Sequence, residues 1–247
     1  NQPWERAFIS AWKKFNHDKL YGFVTATIHF WLLNYTDTNH ELASRPNYVI
    51  CSSNFTKQFL KENFYHEKYI FVTETLRYNN LYTKQIIKSK DEKKNLVFFG
   101  DYFRPINNNL INIMNYISTC EEIKKKYKIY FKPHPENNLW KIEKNIEILK
   151  DKKKLEYSIV ISPNTSIIGV EFIDSKIKTF IYKDENFIDL SPLKNLPSIP
   201  DKIVFKNSTQ LKLLLKNVEN KYYENFKLNY FHQGKSLKKW ESLIKKM

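Results

Sequence analysis

The sequence predicts an α/β protein of two Rossmann-like units, each built on a parallel sheet, with the first incomplete at its N-terminus. Three observations carry that expectation. Runs of four to six apolar residues alternate with helical stretches along most of the chain, the pattern that βαβ units leave in a sequence. The 247 residues suffice for one large domain or two smaller ones. Between two sets of alternating elements lies "NNLYTKQIIKSKDEKKN" (79–95), charged and without a clean apolar period. It reads as a linker and puts a boundary near residue 90, so the domains are expected at 1–90 and 91–247.

The first unit opens on a helix over about 3–16, followed by "LYGFVTATI" (20–28) and by "NYVICSS" (47–53), a strand running into a loop. A helix begins at the next Ser-Asn pair in "NFTKQFLKENF", and "KYIFVTE" (68–74) is a further strand. The chain carries no initiator Met and its first helix begins almost at once, so a fragment of a longer chain is expected. "NQPWERAFISAWKKF" is amphipathic and lacks the apolar core of a signal peptide.

The second unit alternates more clearly. "NLVFFG" (95–100) reads as a buried strand, followed by a helix over about 107–120. "KIYFK" (128–132) is the next strand, with a polar helical stretch after it. "YSIVIS" (157–162), a short helix over 165–174, "KTFIYK" (178–183) and a shorter fifth strand, "KIVFK" (202–206), follow. "STQLKLLLKNVEN" and "GKSLKKWESLIKKM" supply closing helices assigned to this same unit.

Composition narrows the function classes. Hydrophobic residues make up 42% and aromatics 16%, so the chain folds. No apolar run approaches the roughly 20 residues that span a bilayer. Two cysteines, Cys51 and Cys120, are too few for a disulfide framework and fit a reducing cytoplasm. The formal charge of +15 comes mostly from Lys runs such as "EEIKKKYK". A basic surface suits a polyanionic substrate or an anionic membrane face. No helix-turn-helix, zinc-finger or RNA-recognition signature accompanies the charge, so nucleic acid is not expected as a partner. With four glycines in the chain, GxGxxG and Walker loops are absent.

Ligands of open parallel sheets bind beyond the carboxyl ends of the strands, and two distinctive stretches fall there. In "KPHPE", prolines on both sides fix the backbone around His134 and keep it out of regular structure. Its imidazole could neutralise a phosphate; the alternative is a rigid turn that binds nothing. In "ISPNTSIIGVEF" a strand ends at Ser162 and runs through small polar residues straight into a helix. One of Ser162, Asn164, Thr165 and Ser166 would cap that helix; four together read as a phosphate cradle on a strand next to that of His134. Glu171, one to two turns into the helix, faces either the cleft, where it would bind a ribose hydroxyl, or solvent.

"FKPHPE" followed by "SIVISPNTSIIGVEF" resembles the nucleotide-binding domain of bacterial GT-B glycosyltransferases that use CMP-activated acidic sugars. These are the sialyltransferases and the nonulosonic-acid or Kdo transferases of surface-polysaccharide assembly. "NQPWERAFISAWKKF", "PNYVICSS" and "ETLRY" are similar to the N-terminal half of a surface-carbohydrate biosynthesis family. The resemblance implies a GT-B-like fold, a nucleotide-sugar donor, a cell-surface polysaccharide or lipopolysaccharide acceptor, and a cytoplasmic enzyme, peripheral at the inner membrane. It implies that His134 helps CMP leave, that Ser162, Asn164, Thr165, Ser166 and Glu171 bind phosphate and ribose, and that Lys132, Pro135 and Glu136 line the same site. No metal or other cofactor is expected, since imidazole, hydroxyls and a helix dipole can stabilise the leaving group. The early acidic motif of those enzymes is not evident; Glu5 is the candidate acceptor base, and Arg77 the candidate partner of the sugar carboxylate. Two alternatives stand beside this reading. One is a UDP- or CDP-donor GT-B enzyme, including teichoic-acid-type transferases. The other is a truncated, non-catalytic remnant that binds nucleotide or glycan.

Overall fold

The computed structural model describes residues 3–16, 18–24, 45–63, 65–76, 93–137, 141–149, 158–175, 177–187, 201–217, 230–231 and 236–247. The chain divides into two compact units, Asn1–Leu81 with Asn229–Met247, and Tyr82–Leu228.

The second unit is a six-stranded parallel sheet. Its strands are β4 (Lys94–Phe99), β5 (Tyr127–Lys132), β6 (Glu147–Ile148), β7 (Ile159–Pro163), β8 (Lys178–Tyr182) and β9 (Val204–Phe205), in the order β6-β5-β4-β7-β8-β9. The chain first steps outward from β4 to β5 and β6, then returns to the other side of β4 for β7, β8 and β9. That reversal is the doubly wound order in which a crevice opens at the carboxyl ends of the two strands where the direction changes. β4 and β7 are apolar almost throughout because a central parallel strand is covered on both faces. β6 and β9, at the edges, are two residues each, short enough to discourage pairing with another chain.

The helices follow from their apolar faces. α3 (Arg104–Thr119) starts with a proline in its first turn and buries Ile106, Leu110, Ile113, Met114 and Ile117. α4 (Glu121–Lys126) is a short continuation beyond the break at Cys120. α5 (Ile167–Asp174) is apolar nearly all round, and Gly169 lets it approach the sheet: a Cβ there would lie 2.6 Å from Ile181 Cδ1. α6 (Ser208–Lys216) is capped by Asn207, whose side chain accepts from the Gln210 N–H, and buries Leu211 and Leu215.

The first unit contains α1 (Pro3–Phe15) and a three-stranded parallel sheet, β1 (Tyr21–Phe23), β2 (Tyr48–Cys51) and β3 (Ile70–Val72), with β2 in the middle. α2 (Asn54–Asn63) is started by Ser53, whose hydroxyl accepts from the Phe55 and Thr56 N–H groups. Val49, Cys51, Leu60 and Ile70 form its core with Val24.

Several expectations need correction. The helix expected after the HPE turn does not form among the described residues 141–149. They make turns and the strand β6, because Ile146 and Leu149 are buried against the sheet and the Leu149 N–H bonds Phe131 O at 2.8 Å. The fifth strand shrinks to Val204–Phe205 after one helical turn, Asp201–Ile203. The last helix, α7 (Lys238–Ile244), groups with the first unit and not the second. The Glu74 carboxylate binds its first N–H groups there, and the Trp240 ring meets Phe23 edge-on at 5.2 Å. The second part of "LYGFVTATI" lies outside the described residues.

Candidate functional site

The turns after β4, β5 and β7 all lie at the carboxyl end of the six-stranded sheet. The turns carrying His134 and Thr165 are therefore on the same end, as expected. Their strands, however, are not neighbours: β4 lies between them. The sequence missed this because β4 precedes both in the chain, and only the doubly wound order sends β5 and β7 to opposite sides of it.

β5 ends at Lys132, half-buried, and Pro133 and Pro135 enclose a half-buried His134. The Glu136 N–H donates to His134 Nδ1 at 3.2 Å. With Nδ1 accepting, the neutral imidazole carries its proton on Nε2, which remains for a ligand. The Tyr102 ring lies against the imidazole, centroids 6.2 Å apart, and Pro135 and Glu136 are exposed. The turn is pressed against β4: a Cβ on Gly100 would stand 3.0 Å from the His134 backbone nitrogen and 2.8 Å from Asn107 Oδ1. A glycine is needed here for closeness of approach.

The turn after β7 sorts its four polar residues into different tasks. Ser162 is fully buried and its hydroxyl donates to Pro163 O at 3.2 Å, so it lies beneath the site and not on its surface. Asn164 is also buried, and its N–H bonds Tyr182 O at 2.8 Å. Ser166 is the N-cap of α5, accepting from the Ile168 N–H at 3.3 Å. Thr165 is half-buried and donates its hydroxyl to Asp101 Oδ2. The two half-buried hydroxyls, Thr165 and Ser166, are thus the ones placed near solvent. Glu171 is buried on α5, 8% exposed, which removes the reading of a solvated surface carboxylate.

Asp101, which the sequence reading did not single out, stands at the centre of this end of the sheet. It follows β4 directly and is 2% exposed. Burial pushes its carboxyl above the ordinary carboxylate range, against the Thr165 and Phe103 hydrogen bonds and the charge of His134, which pull it down. Its signal in the sequence was a lone acid after a strand, "FFGD", which reads as ordinary turn chemistry.

The turn after β8 closes the far side. Asp184 accepts from Asn109 of α3 at 2.7 Å and from the Tyr182 hydroxyl at 2.8 Å. Burial raises its carboxyl, but hydrogen bonds from Asn109, Asn186 and Tyr182 outweigh this and hold it below its usual range. Of the remaining candidates, Glu5 is half-buried in the first turn of α1, in the other unit. Arg77 lies outside the described residues. No group of three or more metal-ligating side chains is found among the described residues, nor any helix long and apolar enough to cross a membrane.

No protein-family model and no curated protein matches the chain. Solved structures do. UDP-GlcNAc 2-epimerase from Neisseria meningitidis, bound to UDP-GlcNAc, has a TM-score of 0.61 at 13% identity over 91% of this chain and 69% of that one. The Methanocaldococcus jannaschii UDP-GlcNAc 2-epimerase, in complex with UDP-GlcNAc and UDP, gives 0.56 at 14% identity, covering 91% and 68%. Likeness at such identity establishes the fold: an α/β architecture of parallel sheets and helices, Rossmann-like as in GT-B enzymes.

Proposed function

We propose that this protein is a GT-B-type enzyme that releases a nucleoside diphosphate from a nucleotide-sugar and transfers the sugar to a surface glycan or glycolipid acceptor. The observation that carries the proposal is that the turns bearing His134 and the Thr165 and Ser166 hydroxyls follow the two strands that flank β4, at the same end of the sheet. Bond cleavage at the anomeric carbon leaves negative charge on the departing phosphate. The imidazole can donate from Nε2 or neutralise that charge, and hydroxyls with the first amides of α5 can bind it. Lys132 adds positive charge, and Glu171 is the proposed ribose partner. Glu5 remains the proposed acceptor base and Arg77 the proposed sugar contact. No step requires a metal, so a chelator should leave turnover unchanged.

The likeness to structures that hold UDP-GlcNAc and UDP supports a uridine donor over the CMP-linked acidic sugar that the sequence resemblance implied. The same likeness favours a second reading, epimerisation of the sugar on its nucleotide. Incubation with UDP-GlcNAc, with and without glycan acceptors, separates the two. A transferase yields UDP and an extended acceptor, or slow hydrolysis alone; an epimerase yields an isomeric UDP-sugar without acceptor. A folded protein that yields neither from any nucleotide-sugar would end the proposal.

A membrane-side acceptor is supported by α1. Trp4, Phe8 and Phe15 share one helical face and are 68%, 51% and 79% exposed, and Lys14 Nζ stands 5.3 Å from the Phe15 ring centroid. Binding to anionic but not zwitterionic vesicles is expected, and should be lost when Trp4 and Phe8 become serine.

A further inference from the structure

Asp101 joins all three turns of the site. Its backbone N–H donates to Asn107 Oδ1 of α3 at 3.0 Å, and its carbonyl accepts from Asn137, just past the HPE turn, at 3.4 Å. Oδ1 accepts from the Phe103 N–H at 2.7 Å, and Oδ2 accepts the hydroxyl of Thr165, from the turn after β7.

The last of these bonds has a direction. An ionised carboxylate can only accept. While Asp101 is ionised, the single hydroxyl proton of Thr165 is held by it, and Thr165 offers the crevice lone pairs alone. Lone pairs beside a buried negative charge are the wrong polarity for a phosphate. With a neutral group at position 101, the bond can reverse: position 101 donates to Thr165 Oγ1, and the Thr165 proton becomes available to an anion.

We propose that Asp101 is a positioning residue that sets the donor direction of Thr165, so that a phosphate group binds when Asp101 is neutral and is opposed when it is ionised. This rests on the reading that the crevice holds the phosphates of a nucleotide. The groups that face the carboxyl are the His134 imidazole from the turn after β5, the Thr165 hydroxyl from the turn after β7, and the Tyr102 and Phe103 N–H groups of its own turn. Burial raises the carboxyl toward the neutral form in which the site is primed. Affinity should fall as pH rises through the folded-state titration of Asp101. The phosphate ligand titrates too, so pH alone does not isolate Asp101.

Substitution does isolate it. Asp101→Asn keeps the shape, can still accept from the Phe103 N–H, and can donate to Thr165. Calorimetric titration with UDP and with inorganic pyrophosphate should show Asp101→Asn binding about tenfold more tightly than wild type, the worth of one hydrogen bond gained. In a Thr165→Val background the same substitution should lose most of that gain. Equal or weaker binding by Asp101→Asn, or a gain that survives intact in Thr165→Val, overturns the proposal. Should Asp101→Asn fail to fold by its melting curve, the pH dependence of wild type is compared with that of Thr165→Val, which cancels every titration common to the two. A steeper loss of affinity in wild type upholds the proposal, and parallel profiles overturn it. Wild-type binding of pyrophosphate without UDP would remove the nucleotide reading and leave the Asp101 test standing on pyrophosphate. Binding of neither overturns both.

Discussion

Each unit buries a carboxyl just beyond the carboxyl end of a parallel strand, and the two are satisfied in opposite ways. Glu74, after β3 in the first unit, is 4% exposed. Its carboxylate takes the Lys239 N–H at 2.9 Å and the Trp240 N–H at 3.2 Å, and its carbonyl takes the Trp240 indole at 2.8 Å. Those amides belong to the first turn of α7, whose own N-cap, Leu237, offers no side-chain bond and sits at φ 46°. Glu74 thus caps a helix 165 residues away in sequence. Asp101, after β4 in the second unit, meets amides of its own turn and one hydroxyl. An amide is a fixed donor, whereas a hydroxyl can turn. A carboxylate held by helix amides is scaffold; one that shares a rotatable proton can exchange it with a ligand.

The rest of each strand end agrees. In the first unit Cys51 ends β2 fully buried, its thiol directed at Ser53 O and Phe71 O, and burial pushes that thiol up to about 11. In the second unit His134, Thr165 and Ser166 are half-exposed.

The largest expected effect is at His134. His134→Ala should lower turnover by about 10²–10⁴-fold while shifting stability by under about 0.5 kcal/mol. Turnover kinetics beside melting curves decide this. Near-normal turnover with a lowered melting temperature would make the HPE turn scaffolding and erase the contrast between the units.

Glu74→Ala should do the reverse. Loss of a buried charged cap should cost about 2 kcal/mol in denaturant unfolding. Hydrogen exchange should quicken at the Lys239 and Trp240 amides, with nucleotide affinity of the folded fraction unchanged. A stable variant with impaired binding would show that Glu74 serves a ligand.

How much of this was legible in the sequence depends on how local each signal is. The two prolines around His134 and the run of small polar residues before α5 announce themselves within six residues, and both turns were found, though which of the four residues caps the helix was not. The strands β4, β5, β7 and β8 were found because continuous apolar runs need no partner to be recognised. Asp101 and Glu74 were missed because their meaning lies in partners 64 and 165 residues away. β6 was misread as part of a helix because pairing with β5 prevailed over the local propensity of a polar segment. The home of α7 was misread for the same reason as Glu74.

A smaller effect sharpens the contrast further. Cys51, buried and with a raised thiol pKa, should resist alkylation in the native protein, whereas the partly exposed Cys120 should react. Mass-spectrometric labelling with and without denaturant checks this, and rapid native labelling of Cys51 would show that the strand ends of the first unit are open.

The most direct test of the central claim is nucleotide binding by the second unit's crevice, read as thermal stabilisation by UDP, CDP and CMP. UDP should stabilise the protein by about 2.7 kcal/mol at a hundredfold excess over its dissociation constant, with CMP weaker, and Thr165→Ala combined with Ser166→Ala should abolish the gain. An unchanged melting curve with every nucleotide, in a sample shown to be folded, would contradict the account.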